Sequence, residues 1–105
     1  MNVVDFLKQL PQAFVPEEAA GTSCILQFNT SQPTYATIKD GQCTVTVGSA
    51  AEPDVTITME DAELIQLLKG ELNGMTAFMT GQLQVEGDLM LAQTLQTIFD
   101  QSKLA

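Results

Sequence analysis

Paired carboxylates and two thiols are the groups in this sequence that first suggest chemistry. Glu60/Asp61 and Glu86/Asp88 are the acid pairs from which a general acid and a general base could be drawn. Both fall where the hydrophobic pattern starts a helix, and acids are expected there for capping and for the helix dipole. No activating base accompanies them. The sequence has no His, no Arg and no Trp, so neither a Ser-His-Asp nor a Cys-His arrangement can be built. The commonest metal ligand and the guanidinium fork that grips phosphates and carboxylates are missing with them. Cys24 and Cys43 lie in strand-like patterns and read as small buried hydrophobes with free thiols, too few to hold zinc. Gly70, Gly74, Gly81 and Gly87 miss both phosphate-cradling spacings and fall at the ends of elements, where glycine is punctuation. The expectation is a protein that is not an enzyme, with no catalytic residue, no metal site and no cofactor.

What the chain offers instead is apolar surface. Met59, Met75, Met79 and Met90 all fall in its second half. Methionine is pliable and polarizable, which suits a surface that accepts apolar partners of varied shape, and equally suits the filling of a core. Residue types leave both readings open.

Composition narrows the partners. At 105 residues the chain reads as one domain, 1–105, long enough to fold around its own core. Thirteen acidic residues face four basic ones, for a net charge of −9. The cations, Lys8, Lys39, Lys69 and Lys103, are dispersed. Nucleic-acid binding draws on clustered cations that neutralise phosphates, and docking on anionic membranes draws on a basic patch. Neither partner is expected for so acidic a protein. No apolar run approaches the ~18 residues of a spanning helix, and the N-terminal residues lack the basic start of a secretion signal. Ser102-Lys103-Leu104 has the residues of a peroxisomal address but is followed by Ala105. The location expected is cytoplasmic.

The elements that must position this surface follow from periodicity. Val3, Phe6, Leu7, Leu10 and Phe14 have the spacing of one helix face, interrupted by Pro11 near Leu10. Pro16-Glu17-Glu18 opens a short turn closed by Gly21. Strands are expected over 23–29, 34–39, 42–47 and 54–59, with Asp40-Gly41 as a tight hairpin turn. Cys43, Val45 and Val47 face inward, as do Val55, Ile57 and Met59, against outward threonines. A helix carries Leu64, Ile65, Leu67 and Leu68 and ends at Gly70. A short one over 74–80 bears Met75, Phe78 and Met79. A fifth strand carries Leu83 and Val85. Asp88 then caps a last long helix with a stripe of Leu91, Leu95, Ile98 and Phe99. The fold class is α+β: a mostly antiparallel five-stranded sheet, with helices covering one face and a wet opposite face of Thr and Gln. The apolar helical surface exceeds what one sheet face can cover, so a pocket, a dimer interface or helix-on-helix packing must absorb the remainder.

The run Asp54-Val55-Thr56-Ile57-Thr58-Met59, then Leu68-Lys69-Gly70, Gly74-Met75-Thr76-Ala77-Phe78-Met79-Thr80-Gly81, Gln82-Leu83-Gln84-Val85-Glu86-Gly87-Asp88 and Leu91-Ala92 resembles the sterol carrier protein type-2 domain. The resemblance extends back through Asp40-Gly41 to Phe14. It implies helices that enclose a hydrophobic pocket. It also implies non-catalytic intracellular binding and transfer of a lipid, fatty acyl, isoprenoid-like or other long apolar small molecule. By the same resemblance, Met75, Phe78, Met79, Leu83, Val85, Leu91, Leu95 and Phe99 are the lipid-binding residues. The alternative is a structural or protein-interaction module, such as a homodimer, with a filled core and no ligand.

Overall fold

A computed structural model describes residues 2–19, 21 and 23–104. The chain runs α1 (Val3–Leu7), α2 (Leu10–Ala13), a 3₁₀ turn (Pro16–Ala19), β1 (Cys24–Asn29), β2 (Thr34–Lys39), β3 (Gln42–Val47) and β4 (Val55–Thr58). There follow α3 (Asp61–Leu68), α4 (Gly74–Met79), β5 (Gln84–Gly87), α5 (Leu89–Gln93), α6 (Leu95–Ile98) and a second 3₁₀ turn (Gln101–Lys103). Local chemistry explains most boundaries. Asn2 caps α1, its Oδ1 accepting the Val4 N–H at 2.7 Å. Pro11 lies in the first turn of α2, where its missing N–H has no intrahelical partner to lose, so the break falls before it, at Lys8 and Gln9. Asp40 and Gly41 both take positive φ, 54° and 73°, as a two-residue hairpin turn demands.

The sheet order is β3-β2-β1-β4-β5. It corrects the expected mostly antiparallel sheet: the sheet is mixed, because its central pair, β1 and β4, is parallel. After β3 the 48–54 loop crosses the outer face and returns the chain to the near end of β1. Gln27, on β1, fastens that loop: its amide donates to the Gly48 carbonyl at 3.2 Å and its Oε1 accepts from Ala50 N–H at 2.7 Å. Gln27 is thereby buried, an exception on a face whose Thr44, Thr46, Thr58, Gln84 and Glu86 are exposed as expected.

The inner face carries the core. Strand register aligns Val45, Ala36, Leu26, Val55 and Gly87 in one row, and Val47, Thr34, Phe28, Ile57 and Val85 in the next. Over them pack Phe6, Leu7 and Leu10 of α1 and α2, Leu64, Leu67 and Leu68 of α3, and Ile98, all buried. Each such side chain contributes about 1.5–3 kcal/mol by leaving water. Val47 departs from the expected inward set. It ends the edge strand β3 and is 53% exposed.

The last helix also differs from expectation. Helix α5 ends at Thr94, whose hydroxyl bonds back to the Leu91 carbonyl at 2.7 Å, and α6 gives way to extended backbone at Phe99. Phe99 forms an antiparallel bridge with Phe14. Around it, Val15 N–H donates to the Ile98 carbonyl and Asp100 N–H to the Ala13 carbonyl, both at 2.7 Å. Pairing with the N-terminal segment thus outcompetes continuation of the helix.

Candidate functional site

The inner face is not covered evenly. Toward the β5 edge, α3, α4 and α5 cover Ile57 but leave Val85 half-buried. They leave a groove of about 690 Å³, within the usual range for small-molecule sites. Ile57, Leu67, Leu83 and Val85 line it, together with Leu72, Met75, Phe78, Leu89 and Ala92. Its remaining wall is the 70–74 loop. The groove opens to solvent: Met75 is 63% and Phe78 48% exposed. The enclosed pocket expected from the sequence is therefore an open groove in this structure.

Specific bonds set its walls. Helix α3 stops where Gly70, at φ 80°, turns the chain, and the N–H groups of Glu71 and Leu72 both donate to the Gln66 carbonyl, at 2.8 and 3.2 Å. Asn73 then caps α4, its Oδ1 accepting the Thr76 N–H at 3.1 Å. Ala77 is the buried anchor of α4, and Leu83 N–H donates to its carbonyl at 3.0 Å. This bond ties the start of β5 to α4. Across the groove Asp88 caps α5 by accepting the Leu91 N–H at 3.1 Å, and α5 lies against β4 and β5.

Four of the residues expected at the site, Met75, Phe78, Leu83 and Val85, are brought together in this wall. Three described ones are not. Met79 points away and is 78% exposed. Leu91 packs against the core. Phe99 is buried beside Phe14, ring centroids 6.0 Å apart. The side chain of Leu95 lies outside the described residues. Sequence reasoning missed Ile57, Leu67, Leu72, Leu89 and Ala92. The first two were legible as inward-facing residues but not as groove residues, since facing the core and facing a gap in it have the same periodicity.

Charge chemistry at the groove is sparse. Among the described residues that line it, Glu71 is the one charged side chain and Asn73 the one polar amide. Elsewhere, Glu60 precedes α3 without a side-chain capping bond, while Asp61 accepts from the backbone N–H of Ser31, at 2.9 Å, and from its hydroxyl. Asp54 accepts the Ile25 N–H at 2.7 Å. Asp61 and Asp54 thus hold a loop and a strand end. Cys24 and Cys43 are free thiols, and burial pushes them up to about 11 and about 12 respectively. They are protonated, poor nucleophiles at neutral pH. No group of three potential metal ligands is assembled among the described residues. No helix among them is long and apolar enough to cross a membrane.

Known proteins share the sequence pattern and the fold. The family described as SCP-2 sterol transfer family matches residues 5–100. Sterol carrier protein 2 of Gallus gallus is 39% identical over 61 residues, covering 58% of this chain. The chain spans only 11% of that protein's length. Sterol Carrier Protein 2 from Yarrowia lipolytica superposes with a TM-score of 0.67 at 25% identity, covering 97% of this chain and 85% of that one. A stereoselective inverting sec-alkylsulfatase from Pseudomonas sp. contains the same fold, with a TM-score of 0.80 at 24% identity. The match covers 87% of this chain and 15% of the sulfatase.

Proposed function

The chain belongs to the SCP-2 sterol transfer family, and from that membership we propose that it binds and transfers a lipid or other long apolar molecule without chemically altering it. The ligand occupies the groove between α3, α4, α5 and the β4–β5 edge. One observation carries this reading: toward the β5 edge the cover over the sheet thins until Val85 is only half-buried, and the helices beside it leave Met75, Phe78 and Leu89 exposed along one groove rather than closing it. An apolar chain laid there removes from water surface that the protein's own fold leaves wet, at about 25 cal/mol per Å². The scarcity of polar groups on the wall supports carriage over catalysis, since a reaction needs groups aimed at developing charge.

The test is direct. The protein is purified without detergent, and native and denaturing mass spectra are compared before and after incubation with a lipid panel. A mass that is lost on denaturation is expected. A fluorescent fatty-alcohol probe should bind Phe78→Glu and Leu83→Glu about tenfold or more weakly than the wild type, because each places a charge against the apolar chain. Met79→Glu, outside the wall, should bind normally. An unliganded mass after every incubation, with a concentration-dependent oligomer instead, would replace this reading with an interaction module.

A further inference from the structure

Resting on the carrier reading, we infer that this groove selects its ligand by headgroup: it takes a long apolar body ending in an uncharged hydroxyl and discriminates against one ending in a carboxylate. The selecting group is Glu71. The 70–74 loop is the one polar stretch of the groove wall, and Glu71 is the only charged side chain among the described lining residues. Its backbone is held in place. Its N–H and that of Leu72 share the Gln66 carbonyl, so the loop presents Glu71 from a fixed point at the end of α3. An ionised carboxylate only accepts hydrogen bonds. Two residues on, Asn73 has its carbonyl oxygen committed to the Thr76 N–H, so what its amide has left to offer a ligand is chiefly the donating NH₂. A hydroxyl both donates and accepts, so it matches the pair. A carboxylate head matches only Asn73 and meets Glu71 with like charge.

The whole molecule acts in the same direction. Its net charge is −9, and none of Lys8, Lys39, Lys69 and Lys103 lines the groove. The nearest in sequence, Lys69, is the C-cap of α3. An alkanoate therefore approaches an acidic protein and finds no cation in the wall. Because Glu71 is exposed, solvent screens the repulsion, and the expected discrimination is about three- to tenfold rather than absolute.

The experiment uses an alkanol, an alkanoate and an alkylamine of equal chain length, each displacing one uncharged fluorescent probe at about pH 8, where the acid is ionised and the amine protonated. In the wild type the alkanoate should be the weakest by about three- to tenfold. Glu71→Gln, which keeps an accepting oxygen, should bring it within about twofold of the alkanol and leave the alkanol nearly as it was, whereas Glu71→Lys, which offers no acceptor, should place the alkanoate ahead and weaken the alkanol. Thermal midpoints equal to wild type are expected, since Glu71 is at the surface. Equal binding of alkanol and alkanoate by the wild type overturns the inference while leaving the carrier reading intact. So does an alkanoate preference that Lys69→Gln abolishes. If none of the three displaces the probe or binds on its own, the carrier reading falls and the headgroup inference with it.

Discussion

Cys24 and Cys43 occupy one row of the inner face, with Ile38 between them on β2. Two strand spacings, about 9–10 Å, separate their backbones, beyond the reach of a disulfide. Their thiols are accordingly free. Burial raises both, and for Cys24 the carboxylates of Asp54 and Asp88 add to it. The sign for stability follows. In the unfolded chain a thiol loses its proton near 9, while the folded protein holds it until about 11 at Cys24 and about 12 at Cys43. Below pH 9 the two states bind equal protons. Above it the unfolded state binds fewer, and stability falls as pH rises. Urea denaturation should show a loss on the order of 1 kcal/mol between about pH 9 and 11. In a Cys24→Ala/Cys43→Ala protein this part of the loss should vanish, and an unchanged slope would mean that other groups cause it. The inward facing of these thiols, Cys24 buried and Cys43 half-buried, was legible from period-two patterning. The exposure of Val47, in the same pattern, was not, because alternation specifies a face and is silent on whether anything covers its edge.

At the scale of elements, the β4–β5 pair and the segment after it show how one position constrains the rest. Gly87 ends β5 opposite Val55, at φ 100°, and a Cβ there would lie 2.5 Å from the Asp54 carbonyl oxygen. Gly41 also has positive φ, 73°, but open space around it. Gly87→Ala should therefore cost about 2–4 kcal/mol, strain plus clash, and Gly41→Ala only about 1 kcal/mol, strain alone. Thermal denaturation of the two variants compares them, and equal losses would remove the close approach from the account. The cap at Asp88 was readable from its position before an apolar run, and the structure bears it out. The division of the last helix was not readable. The stripe of Leu91, Leu95, Ile98 and Phe99 has helical spacing throughout, yet Phe99 is claimed by Phe14, 85 positions earlier (99 − 14). The parallel pairing of β1 with β4 escaped for the same reason: a strand's pattern names its inner face and not its neighbour.

Over the whole molecule, binding and stability are linked. A ligand that occupies the groove binds the folded state alone and should raise its stability by about 2.7 kcal/mol at a hundredfold excess over Kd. A scanning-calorimetry midpoint that rises with alkanol concentration in the wild type, but not in Phe78→Glu, is expected. A midpoint that ignores the ligand would contradict binding to the native fold. The acidity of the molecule acts at this scale too, setting which charged partners approach it, whereas the groove's few polar atoms act only once a ligand has arrived.

By itself the sequence determined the inventory and the local elements. The absence of His and Arg removed whole classes of chemistry. The positions of Asp40-Gly41, Gly70 and Asp88 fixed a hairpin, a helix end and a helix start, because each depends on bonds within a few residues. The helix-Gly-strand-Gly-Asp-helix stretch resembled the family to which the chain belongs. Tertiary structure alone decided the strand order, the crossing of the 48–54 loop over Gln27, the strapping of Phe99 onto Phe14, and the groove beside Val85. The physical reason is common to all four. An apolar side chain is driven out of water with little regard to direction, so sequence records that it must be covered, and only the assembled chain settles what covers it and where cover runs out.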